Sequence, residues 1–250
     1  MTAQTPSDLR LHAIIDPYCG WCYAAAPLLD IAQSMPHVEL TLHGGGMLTG
    51  TNVVHVSPQF RTYVMQHDQR IAKITGQPFG DAYYNGLLHD SEAVLNSMQP
   101  TTAMLAAQAL GGYGLDMLHR EQKALYVEGL HISKEHVLTQ LAQDIGLNAQ
   151  QFTAAYQQLA GNETQDHIEQ SRALLFKVGG QGFPTLALET PDADWAVVDL
   201  GSFLGRPQEW KKHLQTLLYE QGHDIIELDE TSPAQTACPI DGCAPPKTTN

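Results

Sequence analysis

An α/β fold with a large helical insertion is predicted by three observations. An apolar strand run, a helical run and an alternating strand open the chain; roughly a hundred residues from Pro58 then show helical periodicity without a convincing strand; two further strand candidates and a closing helix follow. Residues 9–57 and 162–221 are therefore expected to form one unit, 58–161 an inserted helical subdomain, and 222–250 a tail. With 250 residues, 43% of them hydrophobic, the chain can bury a substantial core, as one domain with an insertion or as two domains.

Leu11 to Ile15 is the first strand candidate. Trp21 to Met35 follows as a helix, with Ala24, Ala25, Leu28, Leu29 and Ile31 at helical spacing and Pro27 expected to kink it. Val38, Leu40 and Leu42 alternate with Glu39, Thr41 and His43, the period of a half-buried strand, and Gly44-Gly45-Gly46 stops it. Inside the insertion, helices are expected at Phe60 to Ile74, Thr101 to Leu110, Met117 to Leu130, Ser133 to Ile145 and Asn148 to Leu159. Asn148 with Gln151 fits a capping box, and Gly146 fits a helix C-terminal stop. Gln165 to Val178 reads as a helix closed by Gly179-Gly180. Phe183 to Leu188 and Trp195 to Leu200 read as strands separated by Pro191 and Asp192, and Pro207 starts a last helix that runs to Tyr219. Beyond Gly222 the chain turns acidic, then rich in Pro, Thr and Ser, without a sustained period.

Chemistry concentrates at Cys19-Gly20-Trp21-Cys22, where the first strand gives way through Asp16-Pro17 to the helix. Two sulfurs at i and i+3 on a helix start can close a disulfide, while the first faces unsatisfied N–H groups and the positive end of the dipole, which favour thiolate. All four cysteines fall into two tight pairs, Cys19 with Cys22 and Cys238 with Cys243, rather than the scattered framework of a disulfide-stapled secreted domain. Paired cysteines in a reducing compartment point to catalysis or metal.

The strand, the Cys-x-x-Cys opening a helix, Pro27 five residues after the second cysteine, and Gly182-Phe183-Pro184-Thr185 before a late strand together resemble the thioredoxin superfamily. The helical insertion resembles its DsbA-like branch, and Asp16-Pro17-Tyr18-Cys19-Gly20-Trp21-Cys22-Tyr23 is similar to the cytosolic FrnE-like, predicted protein-disulfide isomerase group; the resemblance spans about Leu11 to Tyr219. It implies a thioredoxin fold with an inserted helical subdomain and a thiol–disulfide oxidoreductase or isomerase acting on protein or peptide thiols and disulfides. Cys19 would be the exposed nucleophile, Cys22 the resolving thiol, and Pro184 a cis-proline whose neighbour Phe183 lies, with Trp21, against disulfide and substrate. No prosthetic group is implied beyond the redox-active cysteines, and glutathione is the candidate co-substrate.

The chain departs from that pattern at one position. Thioredoxin and DsbA keep a buried acid six residues before the first cysteine, where this chain has Ala13 with His12 beside it, so His12, Asp16 or a water is left to accept the Cys22 proton. Gly20-Trp21 matches neither thioredoxin nor DsbA, and the sequence leaves oxidant, reductant and isomerase open. Two alternatives stand beside dithiol exchange. One is a glutathione-dependent transferase or isomerase of the kappa type, which typically has serine at the position of Cys19. The other is a non-catalytic zinc module in which Cys238 and Cys243 complete the first pair. Neither the placement of the first pair at a helix start nor the Gly182 to Thr185 motif is explained by zinc. The second pair is an auxiliary redox candidate: sixteen residues beyond Gly222, Cys238 sits on a segment that typically spans roughly 20 to 24 Å. A relay and an incidental pair are both open.

Charge and composition exclude several classes. Thirteen basic against 27 acidic residues give a formal charge of −14, which repels phosphate backbones and anionic lipid surfaces, so neither nucleic acid nor membrane is an expected partner. No apolar run approaches the roughly 18 residues of a span, and Met1 to Asp8 lacks the regions of a secretory signal, making a cytoplasmic location the expectation. Twelve histidines invite a metal reading, yet Glu128-x-x-His131 stands as a single copy and His131 and His136 do not share a helix face, so no metal is expected. Gly44 to Gly50 lacks nucleotide-cradle spacing.

Overall fold

Alternation along the first strand, β1 (Leu9–Ile15), decides the core: Leu9, Leu11, Ala13 and Ile15 are buried on one face and His12 lies on the other. The computed structural model, which describes residues 8–190 and 194–223, pairs β1 in parallel with β2 (Val38–Gly44), Leu11 opposite Leu40. On its other edge β1 runs antiparallel to β5 (Thr185–Glu189), Ala13 opposite Leu186, and β5 pairs with β6 (Trp195–Val198), giving the order β2-β1-β5-β6. Helices α1 (Gly20–Ser34) and α8 (Pro207–Glu220) pack together over the apolar face. Trp210, fully buried, fixes the pair by donating its indole N–H to the Leu28 carbonyl at 2.8 Å.

Pro27 leaves α1 unbroken from Gly20 to Ser34. A proline has no N–H for the carbonyl four residues back, and the Gln77 side-chain amide takes that place, donating to Tyr23 O at 2.9 Å. Strand β5 starts at Thr185, two residues later than its apolar run, because Phe183-Pro184 forms a cis peptide and the Thr185 hydroxyl turns back to Gly182 O at 2.7 Å. Strand β6 ends at Val198 and not at Leu200, where Asp199 caps a short helical turn through Ser202 N–H. Pro191 and Asp192, expected between these strands, lie outside the described residues, as does the chain beyond His223.

Between β2 and β5 the chain is mostly helical. A two-residue antiparallel pair, β3 (Val54–His55) with β4 (Val94–Leu95), escaped the sequence reading because so short a run carries no period. Helices α2 (Pro58–Thr75), α3 (Met98–Ala109), α4 (Gly114–Tyr126), α5 (Glu135–Asp144) and α6 (Ala149–Leu159) enclose a second core around Phe152, Leu138, Met117 and Ile132. Asn148 caps α6 as its spacing predicts, accepting from the N–H groups of Gln150 and Gln151. Helix α4 stops four residues before Leu130, since the chain turns through Gly129 at φ 65, where a side chain would strike the Ala82 carbonyl. Helix α7 (Asn162–Lys177) then returns the chain to the sheet and packs against β2. Among the described residues no helix is long and apolar enough to cross a membrane.

Candidate active site

Strand β1 delivers the chain to the helix start, and Cys19 is the N-cap of α1. Its extended backbone, φ −86 and ψ 110, turns Sγ back over the first turn, where the Cys22 N–H donates to it at 3.3 Å. That donor and the positive end of the helix dipole both face this sulfur. Cys19 and Cys22 are both free thiols.

Cys19 is not exposed as the resemblance implied: the residue is 5% accessible. Phe183 covers it, its carbonyl accepting from the thiol at 3.4 Å. Sγ is nevertheless not sealed in, because Cys19 lines a cavity of about 490 Å³ together with Trp21, Phe183 and Tyr126. The Phe183 ring can lie this low only because residue 45 is glycine, whose added Cβ would fall 2.0 Å from it. Arg172 of α7 holds that glycine loop by donating to the carbonyls of Gly45 and Gly46 and to Thr49 Oγ1. A second cavity, of about 610 Å³, shares Trp21 and Phe183 with the first and adds Pro184. Arg70 sits over the Trp21 ring at 5.5 Å.

Cys22 is 1% accessible, and burial first, then its hydrogen bond with Cys19 and the charge there, push its thiol well above the ordinary range. Of the acceptors the sequence allowed, Asp16 adjoins Cys22 through its backbone, whose N–H donates to Cys22 Sγ at 3.5 Å. The carboxyl, completely buried, accepts from Tyr18 N–H at 2.9 Å, Ser97 Oγ–H at 2.9 Å and Met47 N–H at 2.6 Å. Burial raises it to about 6 against the lowering effect of those donors and of Arg172. His12 is directed elsewhere, its Nδ1 lying 2.9 Å from His43 Nε2 on the opposite face of β1.

A family model for the DSBA-like thioredoxin domain matches residues 11–200. The chain belongs to that family. That family and its related structures are disulfide oxidoreductases. The cytosolic disulfide reductase DsbM from Pseudomonas aeruginosa is 46% identical, with a TM-score of 0.80 over 85% of this chain and 100% of that one. A second structure of DsbM, with GSH, is 44% identical at a TM-score of 0.78, covering 84% of this chain and 100% of that one. A structure from Nitrosomonas europaea, at 22% identity and a TM-score of 0.69 over 87% of this chain and 100% of that one, shares the fold. No curated protein sequence matches.

Within this DSBA-like frame, sequence reasoning missed three cavity residues: Asp68, Tyr83 and Tyr126. Asp68 and Tyr126 stand on α2 and α4, and only folding brings them over Gly20; Tyr83, in the short turn Ala82–Gly86, joins them through its hydroxyl on Asp68. The histidine readings dissolve into pairs, His131 with Asp90 and Glu128 with Arg120. Asp8, His37 and His223 approach one another at the end of β1 remote from Cys19. Cys238 and Cys243 lie outside the described residues.

Proposed function

We propose that this DSBA-like protein exchanges disulfides with protein or peptide substrates through Cys19 and Cys22, working as a reductase with glutathione as co-substrate. The observation that carries the reading is the Cys19 sulfur at a cavity wall, facing the Cys22 N–H at 3.3 Å and the Phe183 carbonyl at 3.4 Å. The 46% identity to a protein named a cytosolic disulfide reductase supports the direction and a cytoplasmic location, and a 44% identical structure named with GSH supports the co-substrate.

In the proposed cycle the Cys19 thiolate attacks one sulfur of the substrate disulfide. A new S–S bond forms, the old one breaks, and the first substrate thiolate leaves. Cys22 then gives its proton to the Asp16 carboxylate and attacks Cys19 Sγ, expelling the second substrate thiolate, so two electrons pass to the substrate and a Cys19–Cys22 disulfide remains. Two glutathione thiols return the electrons and leave as glutathione disulfide. Trp21, Phe183 and Pro184 form the substrate-facing rim, where backbone groups beside a proline suit an extended peptide.

A kappa-type transferase would need only one activated sulfur for glutathione; the adjoining second thiol, next to the backbone of the buried Asp16, favours exchange. Trapping tests the reading. Cys19→Ser should abolish disulfide reduction, whereas Cys22→Ser should accumulate a mixed disulfide at Cys19, detected by mass spectrometry. Reduction retained by Cys19→Ser overturns it.

A further inference from the structure

Asp68 is 3% accessible and stands on α2 over the Cys19-Gly20 turn. One carboxyl oxygen, Oδ2, accepts from the Tyr83 hydroxyl at 3.2 Å. The other, Oδ1, makes no hydrogen bond among the described residues and lies 3.4 Å from the place a Gly20 Cβ would occupy, on the side of the cavity that holds Cys19. The rest of that wall is largely apolar or aromatic, with Phe60, Val64, Ile71 and Leu125 contributing; among the described residues no lysine or arginine lines it, and His67 is the one other side chain there, besides the cysteine and the tyrosines, that can carry charge. An acceptor that opens onto a mostly apolar cavity is placed to take a donor from whatever ligand enters.

We infer that Asp68 selects the substrate: its free oxygen receives the ammonium or N–H group of a low-molecular-weight amino thiol or its disulfide, glutathione being the test case. The inference rests on the exchange reading above. An ammonium fits better than an anion or a plain apolar group, because among the described residues no lysine or arginine lines the cavity and no side chain there donates to Asp68 Oδ1. The residue binds and orients; electrons still pass only between sulfurs. Glycine at position 20 keeps the approach open, since any side chain there would press on Ile71 at 3.0 Å and on the carboxyl itself.

The test compares glutathione disulfide with its bis-N-acetylated form as oxidants of the prereduced full-length protein in single turnover, where the Cys19 and Cys22 thiols supply the two electrons. Charge-assisted hydrogen bonds set the expected scale: wild type should favour the free amine by about ten- to a hundredfold in the second-order rate constant. Asp68→Asn should bring the two within about twofold by lowering the free-amine value, and Asp68→Glu should restore part of the preference. Thermal unfolding and reaction with the acetylated disulfide show whether Asp68→Asn is folded. An equal preference in wild type and Asp68→Asn, or no preference in wild type, overturns the inference and leaves dithiol exchange standing. Failure of wild type to exchange either disulfide overturns both.

Discussion

Two carboxyls flank the same turn, Asp16 from the strand-borne half and Asp68 from the helical insertion, and they are held in opposite ways. Asp16 has three donors on its two oxygens and sits behind the sulfurs, beside Cys22. Asp68 has one donor and turns its second oxygen to the cavity in front of them. Burial raises both, to about 6 and about 7. A saturated carboxyl can move a proton but has no room for a ligand; a half-satisfied one has that room. On the proposed reading, the half with the sheet supplies the exchange chemistry and the insertion supplies the wall that meets the substrate.

The largest expected effect breaks the first side of that comparison. Asp16→Asn removes the proposed proton acceptor while keeping the shape, and resolution of the Cys19 mixed disulfide should slow by about a hundredfold or more, read by rapid acid quench and thiol labelling. An unchanged resolution rate would assign the Cys22 proton to water. Next come the two cores. Trp210→Ala, beneath the sheet, and Phe152→Ala, within the insertion, each empty a fully buried aromatic site and should each cost about 3–5 kcal/mol in urea unfolding. If the halves are coupled through α1 and α2, which pack on one another, both variants should unfold in a single transition.

The strands and most helices were legible because their periods are long enough to count. Val38 to Gly44 alternates with the burial it achieves at both ends, and Asn148 names its own helix start. Boundaries failed where a tertiary partner intervenes: Gln77 rescues the carbonyl that Pro27 abandons, and Gly129 turns under Ala82. At the site, Cys19, Cys22, Trp21, Phe183 and Pro184 could be singled out from local motifs, and they do come together. Asp68 could not. In the run His67-Asp68-Gln69-Arg70 it resembles any solvated helix face, and its burial exists only because α1 packs against α2. Arg172 was equally silent, a long-range clamp 126 residues from the Gly46 carbonyl it binds.

That clamp gives a smaller, sharper prediction. Arg172→Gln removes a charged donor from the Gly45 and Gly46 carbonyls and should destabilise the fold by about 1.5–3 kcal/mol. Because the guanidinium also lowers Asp16, its loss should carry the Asp16 titration above about 6, moving the acid limb of the mixed-disulfide resolution rate to higher pH. A limb that stays in place would mean that the three hydrogen bonds alone hold Asp16.

The smallest net effect is the dependence of stability on pH, where the two buried carboxyls and the histidines at β2 oppose each other. Asp16 and Asp68 bind protons more tightly folded than unfolded, since both stand above the ordinary 3.8; their contribution therefore grows as pH falls from about 7 toward 3.8 and is lost as pH rises. His43 runs the other way. Burial, with His12 and His167 close by, lowers it from 6.5 to about 4, so the unfolded chain takes its proton first and stability is lost as pH falls from 6.5 to about 4. His167 is lowered by burial in the same sense. Wild type should consequently show a shallow Tm profile between pH 4 and 7. Asp68→Asn should make Tm fall more steeply with acid, and His43→Gln should make it fall less or rise; parallel profiles for all three proteins would show that neither group titrates across its folded and unfolded values as its surroundings require.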